Sequence, residues 1–173
     1  MFEVRGIVSN FNEAKKNVEG LGGVLKTEYK CTDHIFLLRE GINLSDEFVR
    51  IRVYSKSDLT KNVLVSYKKN SYEEGVKKSS LIFKKEFDAF EEGLNFIRVY
   101  FKKELQKEIE FGREGVEYLV EKSRVFVEEV QYLGPTVEVE DEQKGRLEIL
   151  LKALNIQRIY CSLPAAVKQR LIL

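Results

Sequence analysis

Charged residues alternate with apolar ones at a period of two in four separate segments of this chain. Glu3 and Arg5, Arg50 and Arg52, Lys84 with Glu86 and Asp88, and Glu138 with Glu140 each stand two apart. Residues two apart on a β-strand share a face, so each segment is predicted to set its charges on one side and its apolar residues on the other. Such a chain folds either as a sheet with one solvated face or as a closed sheet with charges lining a cavity. Paired charges alone favour the simpler solvated face. The β-branched flanks of Arg50 and Arg52 (Val49, Ile51, Val53) weigh towards the cavity. Clustered carboxylates suit Mg²⁺ or Mn²⁺, hard cations that take oxygen ligands, and clustered Arg and Lys suit phosphate oxygens. Together they describe a site for metal-bound polyphosphate.

At 173 residues the chain is expected to form one domain, 1–173, with a sizeable core. Twenty-nine basic residues against 28 acidic ones leave a formal charge of +1, so no global field points to nucleic acid or an anionic membrane. Met1–Arg5 is not a signal peptide, and no apolar run approaches the ~20 residues needed to span a bilayer. Cys31 and Cys161 are far apart and in no metal-ligand spacing, which fits free thiols and a cytoplasmic location.

Periodicity and turn chemistry predict a strand over Phe2–Ser9, a helix from about residue 11 to Leu21, and a long strand over Val24–Leu38. Strands are expected at Phe48–Ser55, Val63–Lys68 and Ser79–Asp88, with turns at Gly41–Ser45 and Leu59–Asn62 and a polar loop at Asn70–Lys77. A helix over Ala89–Leu105 carries Phe90, Leu94, Ile97 and Phe101 as its core stripe. Gln106–Glu114 is ambiguous. Val116–Val120, Arg124–Val130 and Thr136–Asp141 read as strands, Gln143–Leu154 as a helix, and Ile156–Leu173 as a basic tail with some helical character. Strand-plus-helix recurs at 81–105 and 136–154. The expected fold is α+β: an eight-stranded antiparallel sheet closed into a β tunnel (barrel), with helices packed outside.

Other chemistry is sparse. His34 is the one histidine and leaves no Ser-His-Asp or Cys-His arrangement. Neither G-x-x-x-x-G-K-[ST] nor G-x-G-x-x-G occurs. Lys77-Lys78 and Lys102-Lys103 are most simply solvated.

The ordered motifs resemble those of the CYTH family, which comprises class IV adenylyl cyclases and thiamine or inorganic triphosphatases. The segment from Glu128 to Gly134, followed by Glu138-x-Glu140, resembles that family's acidic strand, Leu-Gly turn and Glu-x-Glu strand. Phe48–Arg52 resembles its Leu-Arg-Ile-Arg strand, Ser66-Tyr67-Lys68 its Thr-Tyr-Lys strand end, Lys84-x-Glu86-x-Asp88 its Arg-x-Glu-x-Glu strand, and Asp33–Phe36 its Asp-x-Tyr-Phe strand. The order matches along nearly the whole chain.

The resemblance implies a triphosphate tunnel. Arg50, Arg52, Lys68, Lys84 and Arg113 would grip phosphates, Glu128, Glu138, Glu140 and Glu86 would carry Mg²⁺ or Mn²⁺, and Glu3 and Arg5 would serve catalysis. The implied substrate is ATP, thiamine triphosphate or tripolyphosphate, and the implied reaction is cyclisation with release of pyrophosphate or phosphoanhydride hydrolysis. A homodimer through outer strands or helices is compatible with such a tunnel. Three departures stand out: Met1 replaces the first Glu of the family's Glu-x-Glu-x-Lys signature, Arg5 replaces its Lys, and Gly115 falls where an Arg is expected. These keep open a different reading, a non-catalytic module that binds or senses phosphorylated ligands. RNA binding is disfavoured by the near-zero charge.

Overall fold

The structure, a computed structural model, describes residues 1–56, 62–73 and 76–172. In chain order the elements are β1 (Phe2–Ile7), α1 (Phe11–Gly20), β2 (Val24–Leu37), β3 (Glu47–Lys56), β4 (Val63–Glu73), β5 (Val76–Phe87), α2 (Phe90–Phe101), β6 (Gln106–Val120), β7 (Ser123–Val130), β8 (Gly134–Asp141), α3 (Lys144–Ala153), β9 (Gln157–Ile159) and α4 (Leu163–Ile172). The strands are antiparallel in the order β5-β4-β3-β2-β6-β7-β8-β1, and β1 pairs back onto β5 to close the ring. The expected closed eight-stranded sheet with helices outside is the observed architecture. A ninth strand, β9, is added to it: β5 takes the first half of the free edge of β1, at Phe2 and Glu3, and β9 takes the second, at Arg5–Ile7.

Three segments differ from their sequence expectation. The helix at 90 stops at Phe101 because Lys102 turns into the left-handed region (φ 55) and its N–H bonds back to the Arg98 and Val99 carbonyls. That frees Gln106–Glu114, ambiguous in the sequence, to begin β6. Of the polar loop expected at Asn70–Lys77, residues 70–73 end β4 and 76–77 begin β5, while 74–75 lie outside the described residues, and the basic tail holds β9 and α4. The turn expected at Leu59–Asn62 lies, but for Asn62, outside the described residues.

Strand alternation decides where the core goes. Outward residues of β6, β7, β8 and β1, such as Val116, Val127, Val139 and Val4, pack under α1 and α3. Outward residues of β3 and β4, such as Ile51 and Val65, pack under α2. The inward face is apolar only towards one end. There Ile35, Phe48, Phe111 and Val130 meet Leu163, Ala165 and Val167 of α4, which fills that end of the ring. Each fully buried Leu or Val stabilises the closure by ~1.5–3 kcal/mol. At the other end Arg124, on the inward face of β7, is 46% exposed. Among the described residues no helix is long and apolar enough to cross a membrane.

Candidate functional site

Two residues further along each strand from that apolar plug, the inward face becomes charged. Asp33 follows Ile35 on β2, Arg50 and Arg52 follow Phe48 on β3, and Arg113 follows Phe111 on β6. Asp33 is 1% exposed and takes a fork from Arg52, with Nε at 2.6 Å and Nη2 at 3.0 Å. Arg50 Nη1 lies 3.8 Å and Arg113 Nε 3.7 Å from the same carboxylate. Burial alone would raise the Asp33 pKa, but Arg52, Arg113 and Arg50 hold it far below the usual carboxylate range. One carboxylate thus serves three guanidinium groups. Burial, and then the neighbouring Arg52, push the Arg50 pKa down. The Nε atoms of Arg5, Arg50 and Arg113 are buried without a hydrogen-bond partner among the described residues. Unsatisfied, always-charged donors at the centre of a ring are what an anionic ligand would satisfy.

Glu128, fully buried on β7, sits beside this group. Arg5 Nη1 and the Tyr29 hydroxyl donate to it, and Arg113 Nη2 lies 3.1 Å away. Burial opposes its ionisation, yet Arg113 and Arg5 hold its pKa below the ordinary Glu value. Arg5 also donates to Glu138 and, at 2.8 Å, to Thr136 Oγ1. Its charge is secured despite burial by Glu138 and Glu128.

A second cluster lies where β1 meets β8. Glu3 pairs with Glu140 and Arg5 with Glu138 across the strands. Glu3, Glu138 and Glu140 each offer a carboxylate oxygen within 4.8 Å of the other two. Lys77 Nζ lies 2.5 Å and Lys68 Nζ 3.5 Å from Glu3, and Arg124 Nη1 lies 2.9 Å from Glu140. Burial would raise the Glu138 pKa, but Arg5, Lys77 and Lys68 hold it far below the ordinary value. Glu140 goes the other way: burial first, then Glu138 and Glu3, push it up to about 7. Three oxygen donors, one of them held partly protonated near neutrality by burial and then by its two carboxylate neighbours, fit a hard divalent cation, which would offset both effects.

Of the residues expected in the site, Glu3, Arg5, Arg50, Arg52, Lys68, Arg113, Glu128, Glu138 and Glu140 converge inside the ring. Their groupings differ from expectation in two ways. Glu128 lies with the arginines rather than in the carboxylate trio, and Glu3 takes the third place there. Lys84 and Glu86 do not join either cluster. They are exposed on β5 opposite Ser66 and Leu64, because β1 pairs only with Lys77 and Lys78 of that strand. Lys77, read from sequence as solvated, points inward and is 17% exposed. The signal was its position two residues before Ser79 on a strand that starts earlier than the sequence suggested. Tyr29 and the central role of Asp33 were also missed. A surface cavity of about 550 Å³ beside Arg39, Asp46 and Lys69 shares no residue with the trio.

No protein-family model matches the sequence, and no curated protein does. Solved structures do match in fold. The PH1819 protein of Pyrococcus horikoshii OT3 superposes with a TM-score of 0.77 at 16% identity, over 98% of both chains. A candidate adenylyl cyclase from Hippeastrum, described as having a dominant triphosphatase activity, gives 0.66 at 20% identity over 97% of this chain and 94% of that one. A candidate adenylate cyclase from Vibrio parahaemolyticus gives 0.68 at 10% identity over 99% and 97%. These structures share the closed antiparallel ring with helices outside, the architecture expected from the resemblance to the CYTH family. At these identities the likeness establishes the architecture, and this tunnel's chemistry rests on its own residues.

Proposed function

We propose that this chain is a metal-dependent enzyme that hydrolyses a phosphoanhydride bond of a triphosphate inside the ring. The observation that carries the reading is the facing of two sets of groups across one interior: guanidinium donors left without partners, and a trio of carboxylates within 4.8 Å. Arg50, Arg52 and Arg113 would donate to phosphate oxygens, with Lys68 beside them. Glu3, Glu138 and Glu140 would hold Mg²⁺ or Mn²⁺. When bound, that ion neutralises charge on the transferring phosphoryl group and activates or orients the attacking water. Arg5, fixed between Glu128 and Glu138, keeps its proton at any ordinary pH, so it orients carboxylates and phosphate rather than taking a proton. The charged facing walls suit a row of phosphates, which either hydrolysis or cyclisation would place there, and hydrolysis is the one proposed. The candidate cyclase of Hippeastrum, named for a dominant triphosphatase activity, supports the same choice.

A second reading, a binding module without turnover, is favoured by the tight fixing of Arg5 where the resembled family has a lysine. ³¹P NMR with tripolyphosphate, thiamine triphosphate and ATP, in Mg²⁺ and then Mn²⁺, separates them. Orthophosphate release is expected. Pyrophosphate with a cyclic phosphate signal from ATP would replace hydrolysis by cyclisation. Unchanged substrates with protein-dependent line broadening would leave the binding module.

A further inference from the structure

Lys77 stands where two features of the ring coincide. Its backbone is in one of the two residue pairs that join β5 to β1, opposite Glu3. Its ammonium lies against a carboxylate of the proposed metal seat, 2.5 Å from Glu3 Oε2. Glu3 is 4% exposed and also holds Lys68 on its other oxygen. The charge of Glu3 is therefore already countered from within the protein, by Lys77 and Lys68. A divalent cation entering beside Glu3 would meet that ammonium at close range in a poorly solvated interior, where like charges repel far more strongly than in water. The seam fixes the Lys77 Cα, whereas its four-carbon stem lets Nζ relocate without the backbone moving.

We infer that Lys77 is a phosphate-positioning residue held in reserve: without metal it occupies the charge of Glu3, and a divalent cation at Glu3, Glu138 and Glu140 displaces its ammonium onto a phosphate oxygen of the substrate. This rests on the proposed metal and triphosphate site and adds a coupling to it. Cation and triphosphate strengthen each other's binding because each supplies Lys77 or the cation with the counter-charge the other removes. A lysine that only stitched the seam would have no such effect.

The test is calorimetric and needs no turnover. Mn²⁺ alone, tripolyphosphate alone, and tripolyphosphate in saturating Ca²⁺ or Mg²⁺ at low temperature are titrated into the full chain and into Lys77→Met and Lys77→Arg. In Lys77→Met, Mn²⁺ alone is expected to bind roughly tenfold tighter, and tripolyphosphate in saturating divalent cation roughly tenfold weaker while metal-free tripolyphosphate changes little, the opposite signs being the signature. Lys77→Arg, which keeps the charge, should return the Mn²⁺ affinity towards wild type. Both affinities moving the same way in a folded Lys77→Met protein, or neither moving, overturns the inference while leaving the site intact. Wild-type protein that binds neither Mn²⁺ nor tripolyphosphate overturns the inference and the proposed function together. Should Lys77→Met not fold, the wild-type ¹³Cε resonance of Lys77 decides. A shift on Mg²⁺ saturation is expected, and no change overturns the inference.

Discussion

Tyr29 donates its hydroxyl hydrogen to Glu128 across an intervening strand, and the residue between them is Gly115. A Cβ at Gly115 would lie 2.4 Å from the Val127 carbonyl oxygen and 2.9 Å from Glu128 Cγ. The glycine that looked in the sequence like a lost phosphate ligand is thus the gap through which Tyr29 reaches Glu128.

The first prediction follows from that gap. Gly115→Ala is expected to lower stability by roughly 1–3 kcal/mol, the usual cost of overpacking a filled interior. Urea unfolding of the two proteins measures it, and an unchanged midpoint would mean that the strands part without cost.

Glu128 neutralises Arg5 and Arg113 in the buried interior of the ring. Glu128→Ala leaves two buried guanidinium groups short of a counter-charge, and a loss of roughly 3–5 kcal/mol in unfolding free energy is expected. Loss of Mn²⁺ affinity with stability preserved would instead return Glu128 to the metal seat suggested by the resemblance.

Arg52 and Lys84 looked equivalent in the sequence and are placed differently. Arg52→Ala is expected to weaken tripolyphosphate binding by roughly 1.5–3 kcal/mol, the worth of a charge-assisted hydrogen bond. Lys84→Ala, on the exposed part of β5, should change it by less than about 0.5 kcal/mol. Isothermal titration of both variants checks the contrast, and equal losses would put Lys84 in the grip.

Glu140 gives a pH dependence. With its folded pKa raised to about 7 from the ordinary 4.5, the native chain binds one more proton than the unfolded chain between these values. Stability from this group is therefore lost as pH rises from about 4.5 to about 7, by a few kcal/mol at most. Glu138, Glu3 and Asp33 have lowered values and act below that window, where stability falls as pH drops. In divalent-free buffer, Glu140→Gln should flatten the slope between pH 5 and 8 relative to wild type and gain stability at pH 8. Parallel slopes would place the Glu140 carboxyl in contact with bulk water.

The strands and their charged faces were legible because charges recur at a period of two at Arg50, Arg52, Glu138 and Glu140, but closure was not: those pairs alone favoured a solvated face, and the ring was expected from the strand count and the family resemblance. Grouping was not legible. Whether a carboxylate meets an arginine or another carboxylate depends on cross-strand register, which sets Glu3 beside Glu140 and Glu128 beside Gly115 and is not contained in any single strand. Lys77 was hidden because β5 begins earlier than its polar start suggested. Lys84 and Glu86 were misplaced for a related reason: alternation predicts which way a side chain faces, but not where the neighbouring strand runs out.

Because α4 packs across the apolar end of the ring, a linear ligand of the proposed kind would approach the charged interior tip first from the end where Arg124 is exposed, and its products would leave the same way. Longer polyphosphates are expected to be read from a terminus, with short leaving phosphates competing for the same doorway.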